Sequence, residues 1–153
     1  MPIRSPQEQE YSQIAALYAD FFKTHHIFQQ DHENIIPYLK QQAREHEFLV
    51  HEEKGMIGGA LIIVKLGESP DHGHSRWKFR HCAFESEKIA KLLLAEAEQR
   101  VKQYSRTAKV ELTIAENEEA IDFYKKQEYK QEGLLHHHYR WGEACYILGK
   151  SFS

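Results

Sequence analysis

Asn117 and Tyr124 stand seven positions apart in the segment NEEAIDFYKKQEYKQEG, so on a helix the two side chains share one face. A phenol held in place there can serve as a general acid, handing a proton to a departing anion. The stretch HSRWKFRHCAF supplies a second group suited to proton transfer, His81, because an unperturbed imidazole titrates near neutrality. Strict strand alternation sets Trp77, Phe79, His81 and Ala83 on one face and Lys78, Arg80, Cys82 and Phe84 on the other. Glu111 and His51 are the runners-up for a base. Cys82 is a candidate nucleophile, since a thiolate can attack a thioester. It and Cys145 are the two cysteines, too far apart in sequence for a paired thiol motif, and both read as buried or half-buried strand thiols. Eleven histidines include His136-His137-His138, His25-His26 and His72-x-His74. Neighbours on a strand point to opposite faces, so the triplet cannot converge on one ion, and no metal is implied.

The elements that must carry these residues follow from periodicity. Tyr11, Ile14, Leu17, Tyr18, Phe21 and Phe22 recur at helical spacing, which predicts a helix over 7–23 with an aromatic core stripe. A second helix is predicted over 32–44, with Pro37 expected in its first turn or at a break. Strands over 47–53 and 56–66 flank Lys54-Gly55 and form a hairpin. A loop over 67–73 leads to a long strand over 74–84, then to a helix from Ser86, its N-cap, to Tyr104. A half-buried strand at 110–115, the helix that opens at Asn117, and a closing hairpin built from 129–135 and 138–150 complete the order.

That order, with Asn117-x-x-Ala120-Ile121-x-Phe123-Tyr124 and Tyr129 beyond it, resembles the GNAT-type N-acetyltransferases, whose C-terminal signature is written N-x-x-A-x-x-F-Y-x-x-x-G-F. Taken singly, Asn117 reads as a helix cap and Tyr124 as a core ring; together, in this element order, they favour a site. The resemblance implies an α+β fold: a mixed, mostly antiparallel seven-stranded sheet, splayed between its fourth and fifth strands, with about four helices. It implies acetyl-CoA in the splay as co-substrate, its pantetheine arm pairing with the fourth strand near Cys82, Ala83 and Phe84. Asn117 would contact the pantetheine, and Tyr124 would protonate the thiolate. The family's Q/R-x-x-G-x-G/A pyrophosphate loop is degenerate here. Glu85 stands for the first residue, Lys88 for the first glycine and Ala90 for the last position. Ser86, Lys88, Ile89 and Ala90 would still offer a helix start to the pyrophosphate, while Glu85 and Glu87 oppose an anion there.

With 153 residues the chain fits one domain, 1–153, and has no linker, repeat or low-complexity tract. A net charge of −3 argues against a nucleic-acid partner. No run approaches the ~20 apolar residues of a membrane span, so a soluble cytoplasmic protein without a membrane partner is expected. The leading expectation is an N-acetyltransferase acting on a small-molecule or peptide amine by direct attack in a ternary complex. The alternative is a non-catalytic GNAT-like domain that binds another ligand or a protein partner. A homodimer through the last hairpin is the prior for small members. The resemblance implies that acceptor specificity resides in the first two helices and the loops around them, here roughly 22–36 and 67–73.

Overall fold

A computed structural model describes residues 2–23, 26–115 and 120–153, with His26 described by its backbone alone. Its element order is β1 (Ile3–Arg4), a 3-10 turn (Glu8–Glu10), α1 (Tyr11–Phe21), a second 3-10 turn (His26–Gln29), α2 (His32–Glu45), β2 (Glu47–Glu53), β3 (Met56–Glu68), β4 (His74–Phe84), α3 (Glu87–Tyr104), β5 (Thr107–Ala115), α4 (Ile121–Lys126), β6 (Lys130–His136) and β7 (Ala144–Phe152). The seven strands form one mixed sheet in the order β1-β2-β3-β4-β5-β7-β6. Only β4 and β5 run parallel among the pairings described; β1–β2, β2–β3, β5–β7 and β6–β7 are antiparallel.

The chain falls into two compact units, Met1–Val64 with Arg80–Arg100, and Lys65–Phe79 with Val101–Ser153. In the first unit the helical stripe predicted from spacing is buried: Tyr11, Ile14, Leu17 and Tyr18 pack with Phe28, Ile35, Leu39, Phe48, Val50 and Ile62. The predicted 7–23 helix divides into a 3-10 turn and α1. Arg4 explains the turn, since its guanidinium grips the buried Glu10 carboxylate through two contacts of 2.8 and 2.7 Å. That pairing also holds the Glu10 carboxyl below its usual range. Pro37 departs from expectation, because it sits in the second turn of an unbroken α2. Glu33, four residues earlier, lies at the exposed surface with Pro37, so its carbonyl loses a helical partner where water can replace it.

The β2–β3 hairpin turns at Lys54 (φ 53°) and Gly55 (φ 79°), the two positive φ values of a tight turn matched to strand twist. On β3, Gly58 and Gly59 let α3 approach closely. A Cβ built on Gly59 would lie 2.6 Å from both Ile89 Cγ2 and Leu93 Cδ1. The Gly58 carbonyl accepts from Glu85 N at 2.9 Å, which fixes where the chain leaves β4 for α3.

In the second unit β4 pairs with β5 from His74↔Thr107 to Lys78↔Glu111, and β5 pairs with β7 from Ala108↔Phe152 to Ala115↔Cys145. Among the described residues the β4–β5 pairing ends at Lys78↔Glu111, while β4 runs on to Phe84. Both cysteines are buried strand thiols, as expected. Among the described residues no helix is long and apolar enough to cross a membrane, and no three His, Cys, Asp or Glu side chains converge on a metal position.

If Gly59 is the close-approach point between β3 and α3, Gly59→Ala should lower unfolding stability by about 1–3 kcal/mol through overpacking. Urea denaturation measures this; an unchanged midpoint would show that α3 is held elsewhere.

Candidate active site

In the first unit the site centres on the C-terminal half of β4. His81 has φ 51°, in the left-handed region that a non-glycine residue enters at a cost of order 1–3 kcal/mol. A left-handed residue within a strand interrupts the period-2 alternation as a bulge does, and the burial of β4 loses its alternation here, with Arg80 and His81 both half-buried and Cys82 and Ala83 both buried. Arg80 and His81 accordingly both reach α2. Arg80 Nη1 donates to Gln42 Oε1 at 2.7 Å, and the Tyr38 hydroxyl lies 2.7 Å from His81 Nε2. This corrects the alternation predicted for 77–84, which set Arg80 and His81 on opposite faces. No glycine marks the bulge in sequence, so the regular pattern was the natural expectation.

The imidazole of His81 is half-buried in aromatic rings. Phe28 meets it edge-on at 4.9 Å, Tyr18 lies at 6.0 Å, Phe22 at 6.4 Å and Tyr38 at 5.8 Å. Phe84 packs on Phe21 at 4.8 Å, and Cys82 and Ala83 are buried. Burial pushes the Tyr38 phenol up from its ordinary value, more than the Arg80 charge pulls it down. Tyr18 is fully buried and its phenol is pushed far up, first by burial and then by Cys82 and Tyr38. Its hydroxyl has no hydrogen-bond partner among the described residues. Of the alternative bases, His51 is buried on β2 with its Nδ1 unpartnered among the described residues. Glu111, in the second unit, is half-buried on β5.

At the start of α3, Ser86 Oγ accepts from Ile89 N at 3.3 Å, so Ser86 caps the helix as its type and position predicted. Lys88 is exposed, Ala90 is buried, and the Ile89 side chain lies against Gly58 and Gly59. Ile89 therefore also serves the packing of α3 on β3. Glu85 and Glu87 are exposed and make no ion pair among the described residues.

In the second unit Tyr124 is buried on the short helix α4, whose N-cap is Ala120. The helix predicted to open at Asn117 is thus seen from Ile121 onward, and Asn117 itself lies outside the described residues. The Tyr124 ring meets Phe123 at 5.3 Å and Tyr129 at 6.0 Å, both edge-on, and its carbonyl accepts from Gln127 N and Tyr129 N at 3.0 Å. Glu128 takes φ 71° to close this turn. Lys150 braces it, donating to the Gln127 carbonyl at 3.0 Å with its ammonium 5.4 Å from the Tyr129 ring centroid. Tyr38, Glu128 and Lys150 were missed by sequence reasoning. Only Glu128 had a visible signal, since it holds the glycine position of the F-Y-x-x-x-G-F signature. Of the histidine triplet only His136 lies on a strand, ending β6; His137 and His138 sit in the turn before β7, which starts at Ala144 and not at His138 as predicted, and His137 stacks on Trp141 at 3.9 Å.

Residues 11–129 match the Acetyltransferase (GNAT) family. The chain belongs to that family. No curated protein matches the sequence closely. The GNAT fold is shared with a ribosomal-protein-alanine N-acetyltransferase from Brucella melitensis, at 18% identity and TM-score 0.73 over 99% of this chain and 100% of that one. Arabidopsis thaliana Naa50, in complex with the bisubstrate analogue CoA-Ac-MVNAL, superposes at 17% identity and TM-score 0.74 over 98% and 97%. A probable acetyltransferase from Staphylococcus epidermidis superposes at 13% identity and TM-score 0.79 over 99% and 98%.

The unpartnered Tyr18 hydroxyl costs free energy where it is, because a buried polar group without a hydrogen bond has given up water for nothing. Tyr18→Phe should leave the melting temperature unchanged or raise it, by up to about 1–3 kcal/mol of stability. A clear loss of stability would mean that the hydroxyl is satisfied in solution.

Proposed function

We propose that the whole chain, 1–153, acts as one acetyltransferase domain that moves acetyl from acetyl-CoA to a primary amine of a small molecule or peptide. The observation that carries this reading, beyond family membership, is the bulge at His81 beyond the last β4–β5 pair, Lys78↔Glu111. Backbone groups of Cys82, Ala83 and Phe84 on that stretch suit pairing with an amide-bearing arm such as pantetheine. Asn117 is proposed to contact the same arm.

Two proton movements complete the transfer. The neutral amine attacks the thioester carbonyl as a C–N bond forms and the C–S bond breaks. Tyr124 donates its phenolic proton to the sulfur, and His81 takes the proton that the amine nitrogen gives up. Exchange with water resets both groups. Cys82 is buried and is left out of the transfer.

The start of α3 fits a pyrophosphate through its backbone and opposes it through its side chains. N–H groups at a capped helix start and the positive end of the dipole attract an anion, and Lys88 adds a cation. Glu85 and Glu87 stand against it with nothing paired to them among the described residues. Those two carboxylates favour the second reading, a non-catalytic GNAT-like domain that binds another ligand or partner.

The acceptor is left as an amine of either class. Naa50 with its peptide-bearing analogue and the ribosomal-protein-alanine enzyme support a peptide. The net charge of −3 supports neither a nucleic-acid nor an anionic-membrane partner, and a cytoplasmic site is part of the proposal. So is a homodimer through the β6–β7 hairpin, supported by Trp141 at its tip, 88% exposed.

Calorimetric titration with acetyl-CoA decides between the two readings: the transferase reading predicts saturable heat, and silence at millimolar ligand contradicts it. Given binding, Tyr124→Phe should lower kcat about 10²-fold or more with acetyl-CoA affinity retained. An undiminished kcat removes Tyr124 as the acid.

A further inference from the structure

The geometry points to Tyr38 as the group that touches the acceptor amine, passing its proton inward to His81. This rests on the acetyl-transfer reading and deepens it. The Tyr38 hydroxyl lies against His81 Nε2 at 2.7 Å, and the rings of Phe28, Tyr18 and Phe22 lie at 4.9, 6.0 and 6.4 Å from the imidazole. An amine nitrogen therefore approaches that nitrogen through the phenol. Tyr38 is half-buried, so its side chain is not sealed from solvent as that of Tyr18 is.

Two further features hold the pair in register. Tyr38 and Gln42 stand one turn apart on the same face of α2, and each engages one of two successive β4 residues, His81 and Arg80. The left-handed backbone at His81 is what turns both residues toward α2. Strain of this kind persists where surrounding contacts over-determine it. Among the described residues the imidazole is met by Tyr18 from α1, Phe22, Phe28 from the turn before α2 and Tyr38 from α2, and Arg80 and Cys82 are its neighbours in sequence on β4.

Proton bookkeeping is simple. Tyr38 keeps its proton at neutral pH, since burial raises its phenol. Of two neutral groups, phenol is the better donor and an imidazole nitrogen without hydrogen the better acceptor, so Tyr38 O–H donates to Nε2 and His81 carries its hydrogen on Nδ1. As the amine nitrogen loses its N–H proton to the Tyr38 oxygen, the Tyr38 proton passes to Nε2. One N–H and one O–H bond break, one O–H and one N–H form, and the positive charge moves from the amine to the imidazole.

Long-range 15N–1H spectra of the full-length protein, with the His81 signals assigned by their loss in His81→Gln, read the tautomer directly. The proposal predicts hydrogen on Nδ1 and an acceptor shift at Nε2, lost in Tyr38→Phe. Hydrogen on Nε2 in the unmodified protein overturns it, because Tyr38 would then be an acceptor unable to pass a proton inward. In kinetics, Tyr38→Phe should cut kcat by about 10²-fold with the amine KM within about twofold, and an unchanged kcat in a folded variant also overturns it. A protein that acetylates no amine would sink the transferase reading, while the tautomer spectra of the unmodified chain would still decide the Tyr38–His81 proton.

Discussion

A strand cannot carry a regular ladder through a residue in the left-handed region, and β4 places His81 there at φ 51°. Much of what is chemically interesting in this chain depends on that one backbone choice. Among the described residues, pairing with β5 runs through Lys78↔Glu111 and stops short of His81. Past that pair, Arg80 and His81 turn to α2 instead of alternating, and the phenol of Tyr38 meets the imidazole. The strained residue is packed among aromatic rings, with Phe28 edge-on to the imidazole at 4.9 Å and Tyr18 at 6.0 Å.

The second unit shows a related device. Tyr124 is fixed by the turn that ends α4, where its carbonyl takes two backbone N–H groups and Glu128 bears a positive φ. Lys150, from the last strand, braces that turn through the Gln127 carbonyl. A general acid must be held in position to be worth its pKa, and Tyr124, proposed for that role, is held by main-chain geometry and ring packing. Of the groups proposed for proton transfer, His81 itself has left-handed backbone, and Tyr124 is held by a turn that closes through left-handed Glu128.

Much of this was legible in the sequence. β2 and β4 have the predicted bounds, and Lys54-Gly55 is the hairpin turn. The aromatic stripe of α1 is core, and Ser86 caps α3. Motif and element order together identified the family. The departures have physical causes. Pro37 is tolerated within α2 because the carbonyl that loses its partner is at the surface, which a local rule about proline does not see. The bulge at His81 has no glycine to announce it. Tyr38 stands 43 residues from His81, so their contact is a property of how α2 docks and leaves no trace in local spacing. Glu128 could have been noticed, since a residue in a glycine position is itself a sign of backbone strain.

The central claim is that β4 is bent open at His81 and offers its backbone beyond that point to a thioester-bearing arm. A crystal structure with acetyl-CoA bound tests it most directly. The account predicts His81 at positive φ, β4–β5 pairing that ends at Lys78↔Glu111, and backbone hydrogen bonds from the pantetheine amides to the stretch between Cys82 and Phe84. An extended His81 with strand pairing continued to Phe84, or acetyl-CoA bound away from that stretch, would contradict it.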